Sequence, residues 1–214
     1  MMSILLRPPK DSLSPSKASL VTSAFANAAA AAVSTQLGVE LGVKWPNDLV
    51  VNAGQVPELA ASGERRVDPG YRKVAGLLTE SVISEARVDA LVVGMGLNTG
   101  WPEVPQELAS VATSLNLLSG TEVDRAVLAR GILEGFEERY AALLVAGGAS
   151  RVLDEVRRRS ATLGQEVRVE FVEDDLEGRA VDLDEEGHLV VRDGHGVHHV
   201  VSVGDVVHLR PAGA

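Results

Sequence analysis

Three short stretches of this chain concentrate more functional groups than a fold needs. In VKWPNDL (43–49) a cation, an indole, a proline, an amide and a carboxylate stand side by side as Lys44, Trp45, Pro46, Asn47 and Asp48. RKVAGLLTE (72–80) brings Lys73 and Gly76, and VVGMGLN (92–98) brings Gly94, Gly96 and Asn98. In each, an apolar, strand-like run ends in, or is interrupted by, polar groups. Gly76, Gly94 and Gly96 let backbone approach a ligand closely, because no Cβ stands in the way. Each stretch taken alone has a plainer reading. Lys73 fits a surface lysine closing a loop, and Asn47-Asp48 is a common turn pair. Gly94-x-Gly96 begins a dinucleotide fingerprint, but Thr99 stands where the third glycine belongs and GWPEVP follows instead of a helix.

These groups need a scaffold, and the pattern around them supplies one. MMSILLRP reads as a strand running into Pro8-Pro9. Ser14 before Pro15 predicts a helix start, with helix to Gln36 and a stop at Gly38. KVAGLLTESVIS and DALVVGMGLN predict extended segments. Residues 52–72, rich in Gly, Pro and charge, predict a long mobile loop. QELASVATSLNLLSG predicts a short helical stretch. Thr121 is expected to cap a helix carrying Leu128, Ile132, Phe136 and Tyr140 at helical spacing. Gly147-Gly148 should break it before a second helix over about 150–160. After Leu163 five short alternating runs, split by Asp, Glu and Gly, predict a small antiparallel barrel. The expected architecture is α+β: a mixed sheet with helices on one face over 1–162, then an SH3-like β-barrel over 163–214 docked at its C-terminal side.

The three stretches, in this order, resemble the catalytic domain of biotin protein ligases. Residues 44–48 match the family's Lys-Trp-Pro-Asn-Asp in full, and KVAGLLTE matches Lys-x-Ala-Gly-Ile-Leu-x-Glu with Leu77 for Ile. GMGLN matches Gly-x-Gly-x-Asn, ATSL (112–115) fits another recurrent segment, and the barrel fits the family's C-terminal domain. The resemblance implies activation of biotin by ATP to biotinyl-5'-AMP, then transfer to a lysine of a biotin carboxyl-carrier domain. It implies that Lys73 is catalytic and lies beside the biotin carboxylate, where a compact cation offsets the approach of two anions. Gly76 joins it on the biotin side. Asn47, Asp48, Asn98 and Arg210 fall to the nucleotide, with Asp48 holding magnesium directly or through water. Trp45, Gly94 and Gly96 are expected in the pocket wall. A lipoate ligase shares the fold and a lysine, but KWPND and the barrel favour biotin.

The family places a Gly/Arg-rich loop before the strand that MSILLRP resembles. That expectation leaves two readings: a ligase whose loop lies upstream of Met1, or a non-catalytic relative that binds nucleotide or a partner protein. On either, these 214 residues alone are expected to biotinylate a carrier negligibly.

Bulk properties narrow the class. A net charge of −10 argues against nucleic acid as a partner. Arg157, Arg158 and Arg159 read as a solvated helix end. His195, His198 and His199 lack a surrounding ligand pattern, so strand and turn positions suit them better than a metal. The absence of cysteine excludes disulfides and thiolate metal sites. No secretory signal is read at the start, and AFANAAAAAV (24–33) is too short to span a bilayer. A cytoplasmic enzyme without membrane partners is expected, with homodimerisation left open.

Overall fold

The computed structural model describes residues 1–52, 70–171, 175–202 and 204–208. Two five-stranded sheets carry the molecule. The first has the order β1-β5-β4-β3-β2, from β1 (Met2–Leu6), β2 (Gly42–Lys44), β3 (Asp48–Asn52), β4 (Tyr71–Ser84) and β5 (Arg87–Leu97). The second has the order β10-β6-β7-β8-β9, from β6 (Glu166–Glu170), β7 (Leu176–Leu183), β8 (Leu189–Arg192), β9 (His198–Val201) and β10 (Asp205–His208). The helices are α1 (Leu20–Leu37), α2 (Leu115–Ser119), α3 (Arg125–Leu143) and α4 (Gly148–Arg159).

The α+β class stands, with two differences in detail. Every ladder of the first sheet is antiparallel, so it is not mixed; parallel pairing among the described residues is confined to isolated bridges at Val43–Ser160 and Lys73–Ala112. All five runs after Leu163 are strands of one antiparallel sheet, and among the described residues no ladder joins β9 to β10 to close it into a barrel. The 52–72 segment lies mostly outside the described residues, although Asn52 ends β3 and Tyr71–Arg72 begin β4.

Helix starts differ from expectation for local reasons. After extended Ser14, Pro15–Lys17 form one 3-10 turn, and α1 begins only at Leu20. Asp124, not Thr121, caps α3, because its Oδ1 reaches the Ala126 and Val127 N–H groups at 2.9 and 3.0 Å. At the other end of α1, Gly38 takes φ 65°, the left-handed stop its lack of Cβ permits.

α1 is buried on nearly all sides, from Leu20 through Val33, which is why its alanines show no polar face. Pro15–Leu37, 23 residues of mean hydropathy 1.2, is long and apolar enough by composition to cross a membrane, unlike the shorter run 24–33 within it. Here most of it is the core helix α1, and its apolar stretch is 72% buried inside the protein. α3 packs along it through small residues, since a Cβ at Gly131 or Gly135 would lie 3.7 Å from Ala32 or Ala28. Phe25 meets Phe136 with ring centroids 4.8 Å apart. Helices cover one face of the first sheet, burying Leu77, Leu91, Val93 and Met95, while Leu5, Leu78 and Val92 on the other face are exposed.

Candidate active site

The exposed face of the first sheet carries the polar constellation, and a β-bulge puts it there. Strand β3 pairs with β4 as Asp48–Gly76 and Leu49–Ala75, then slips to Val50–Lys73. The extra residue leaves Val74 and Ala75 both buried in succession. In a regular strand Lys73 would share a face with Ala75 and Leu77, toward the helices. The bulge turns it onto the face of Gly76 instead. Lys73 Nζ lies 2.7 Å from Asp48 Oδ1, a charge-assisted pair with the lysine half-exposed at 47%.

Beneath that pair lies backbone. Gly76 is the direct cross-strand partner of Gly96, and Gly94 sits two residues along the same face, opposite Ser3 of β1. A Cβ at Gly96 would meet nothing within 4 Å, so its place is open space above the sheet. At Gly76 it would stand 3.0 Å from Lys73 Nζ and 3.5 Å from Asp48 Oδ1. The three glycines thus form a flat floor beside a cation and an anion.

Lys73 is also fixed through its main chain. Its N–H donates to Val111 O at 2.8 Å and its carbonyl accepts from Thr113 N–H at 3.0 Å. The ATSL segment is therefore the strap that fills the sheet beside the lysine, with Thr113 and Ser114 fully buried.

The asparagines brace rather than stand free. Asn47 is tied twice to Leu77: its Nδ2 donates to Leu77 O at 2.7 Å, and its own carbonyl accepts from Leu77 N–H at 2.9 Å. Asn98 Nδ2 donates to Thr113 O at 3.0 Å, and its backbone bonds Val74 and Leu115. Beyond it, a cavity of about 990 Å³ lies between Thr99-Gly100, Asn116 and the start of α3 at Asp124-Arg125. Asn116 holds one wall, pairing both edges of its amide with the Trp101 backbone at 3.0 and 2.7 Å. Sequence reading passes over Asn116, whose only signal is its place just after ATSL. Arg210 lies outside the described residues.

Trp45, expected in the pocket wall, packs at the junction with the second sheet. It is 8% exposed; its Nε1–H donates to Gly187 O at 3.0 Å, and its backbone N–H to Thr162 Oγ1 at 3.0 Å. Its indole thus reaches the β7–β8 turn of the second sheet. Ser19 Oγ donates to Glu186 O in the same turn, and a Cβ at Gly187 would stand 2.8 Å from Leu20 Cδ2. Arg157 is likewise no solvated helix end. Its Nε meets Asp182 at 2.8 Å and one amino group meets Leu183 O at 2.6 Å, and the Asp182 bond raises its pKa.

Comparison with known proteins agrees with this arrangement. The model of the biotin/lipoate A/B protein ligase family matches residues 1–98, and that of the biotin protein ligase C-terminal domain matches 162–209. The bifunctional ligase/repressor BirA of Bacillus spizizenii is 28% identical over 204 residues, covering 94% of this chain and 56% of the relative. A biotin--[acetyl-CoA-carboxylase] ligase of Mycobacterium tuberculosis is 35% identical over 172 residues, covering 80% and 54%. The chain thus spans about half the length of the curated relatives it matches. Among solved structures, biotin protein ligase from Aquifex aeolicus superposes with TM-score 0.75 at 20% identity, over 97% of this chain and 81% of that one. Its complex with biotin and ATP gives 0.74 at 21%, over 98% and 77%. With its three motifs on one sheet and a second sheet following them, the chain carries a biotin/lipoate A/B protein ligase family segment over residues 1–98 and a biotin protein ligase C-terminal domain over 162–209.

Proposed function

We propose that the protein is a biotin–protein ligase that joins biotin to ATP and passes the biotinyl group to a lysine of a biotin carboxyl-carrier domain, in the cytoplasm. One observation carries the reading: Lys73 and Asp48 stand 2.7 Å apart above a glycine floor on the face of the sheet opposite the helices. Attack of a carboxylate on an α-phosphate brings two anions together. Lys73, held by its main chain and aimed by the bulge, offers a fixed cation there without reorganisation. The floor admits a flat ligand against backbone, with Gly76 on the biotin side and Gly94 and Gly96 extending it.

Asp48 keeps its second carboxylate oxygen free of protein partners among the described residues. One hard anionic oxygen beside a triphosphate suits magnesium, which takes few protein ligands and keeps its waters and phosphates. Bound there, the ion would neutralise phosphate charge. Asn47 then acts by fixing Asp48, and Asn98 and Arg210 are assigned to the nucleotide. The domain division at 162–163 belongs to this reading and is supported by the C-terminal family match beginning at 162. That same match favours biotin over lipoate.

The test is biotin-dependent exchange of labelled pyrophosphate into ATP, measured on the full-length protein. Lys73→Ala should lower it roughly 100- to 1,000-fold, as loss of one preorganised donor does, with circular dichroism unchanged. Asp48→Asn should raise the magnesium needed for half-maximal rate more than it raises the KM for biotin. Exchange in Lys73→Ala within a few-fold of wild type removes the lysine from the chemistry. No exchange in the wild type, with nucleotide still bound, returns the protein to the non-catalytic reading.

A further inference from the structure

We propose that Trp45 is a positioning residue, coupling the seat of the β7–β8 turn to the Lys73–Asp48 pair. The inference rests on the reading of that pair as the reacting groups. Only Pro46 and Asn47 separate Trp45 from Asp48, and every residue of the path except the proline is pinned. Trp45 is held at both its backbone N–H and its indole N–H by residues of the second family match, Thr162 and Gly187. Asn47 is held twice to Leu77. Asp48 is held to Lys73.

The far end of the path is seated too. Glu186 O accepts from Ser19 Oγ at 3.1 Å, and Gly187 packs against Leu20 and Leu153. Proline fixes its own φ, so the link from the indole to Asn47 has one soft dihedral fewer than an ordinary residue would leave. The β7–β8 turn thereby sets where the KWPND segment stands, and the second sheet bears on the carboxylate that meets Lys73. An indole suits this role because it fills the junction with apolar surface and ends in one directional donor.

The molecule carries its own control. The β8–β9 turn has the same glycine conformation, Gly196 at φ 84° against Gly187 at 85°, but a Cβ at Gly196 meets nothing within 4 Å. Alanine strains both turns equally and displaces only the seated one.

The experiment follows the Leu77 amide, which donates to Asn47 O, by hydrogen exchange in Gly187→Ala, Gly196→Ala, Trp45→Phe and the Gly187→Ala/Trp45→Phe double variant. Trp45→Phe keeps one ring in the junction and removes the donor together with the rest of the indole. Leu77 exchange should rise about fivefold in Gly187→Ala and in Trp45→Phe, the ratio that loss of one hydrogen bond produces. It should stay at the wild-type rate in Gly196→Ala, and the double variant should exceed neither single one. In the pyrophosphate assay the two coupled variants should lower kcat severalfold with the KM for biotin kept. Equal Leu77 exchange in the two glycine variants overturns the coupling, as does full additivity in the double variant. An inactive wild type would overturn the proposed function alone, because the exchange comparison needs no turnover.

Discussion

Two consecutive hairpin turns of the second sheet are built alike and used differently. In the β7–β8 turn Asp184 Oδ1 accepts from the Glu186 and His188 N–H groups, its other oxygen pairs with the His188 ring at 2.9 Å, and Gly187 closes the turn. In the β8–β9 turn Asp193 Oδ1 accepts from His195 and Val197, its other oxygen pairs with the His199 ring at 2.8 Å, and Gly196 closes it. Both glycines sit in left-handed backbone that a side chain resists. Yet residues 186–188 are half-buried against Trp45, Ser19 and Leu20, whereas 194–198 are exposed. The Asp-Gly-His device thus specifies the shape of a turn. What the turn does comes from what it meets.

The sharpest way to break this comparison is to add one methyl group to each turn. Gly196→Ala should cost about 1–2 kcal/mol, the strain of a left-handed residue. Gly187→Ala adds overpacking against Leu20 to the same strain and should cost roughly 2–4 kcal/mol; urea denaturation measures both, and equal costs would mean the seated turn is merely nearby. Trp45→Phe should cost about 1–3 kcal/mol, because it leaves the half-buried Gly187 carbonyl unpaired and a gap where the larger indole stood. A midpoint within error of wild type would show that water takes the donor's place.

The smallest effect is in acid. The His199 bond, then the Val197 N–H, lower the Asp193 pKa to about 2. Burial pushes Asp184 up, but the His188 and Glu186 N–H bonds and the His188 ring outweigh it, so its net shift is also downward. A carboxyl whose folded pKa lies below its unfolded value stabilises the fold fully above about pH 4. That contribution is lost as pH falls toward 2. Asp193→Asn should therefore flatten the loss of stability between about pH 4 and 2, and Asp184→Asn should flatten it below about pH 4. Acid titration followed by circular dichroism checks both, and an unchanged slope in Asp193→Asn would mean that its pairing is not linked to folding.

The second sheet is the more legible part of the chain. Its strands alternate with period two and its turns announce themselves with Asp and Gly, so local signals place all five. The polar clusters are legible as a group, and the structure brings Lys73, Asp48, Gly76, Gly94 and Gly96 onto one face. Three things are not legible because they depend on partners beyond the local stretch. The bulge at Val74-Ala75 shows only when β3 is laid beside β4. The bond that the Trp45 indole N–H donates to Gly187 O spans 142 positions of sequence. Asp124 outcompetes Thr121 as a cap because only its carboxylate finds two free N–H groups.

The seam between α1 and α3 has a consequence for how the molecule moves. Ala28 and Ala32 face Gly135 and Gly131, so one stripe of this contact is built of groups without rotatable side chains. Alanine and glycine surrender almost no side-chain entropy on burial, so the two helices are joined at little conformational cost. The same lack of rotamers removes the usual means of adjustment. A core of leucines accommodates a small shift by switching side-chain wells, but this seam has few to switch. Along this stripe α3, whose first residues line the cavity beyond Asn98, meets α1 through groups that have no wells to switch, and that freedom is left to Phe25, Phe136 and Gln36 around it.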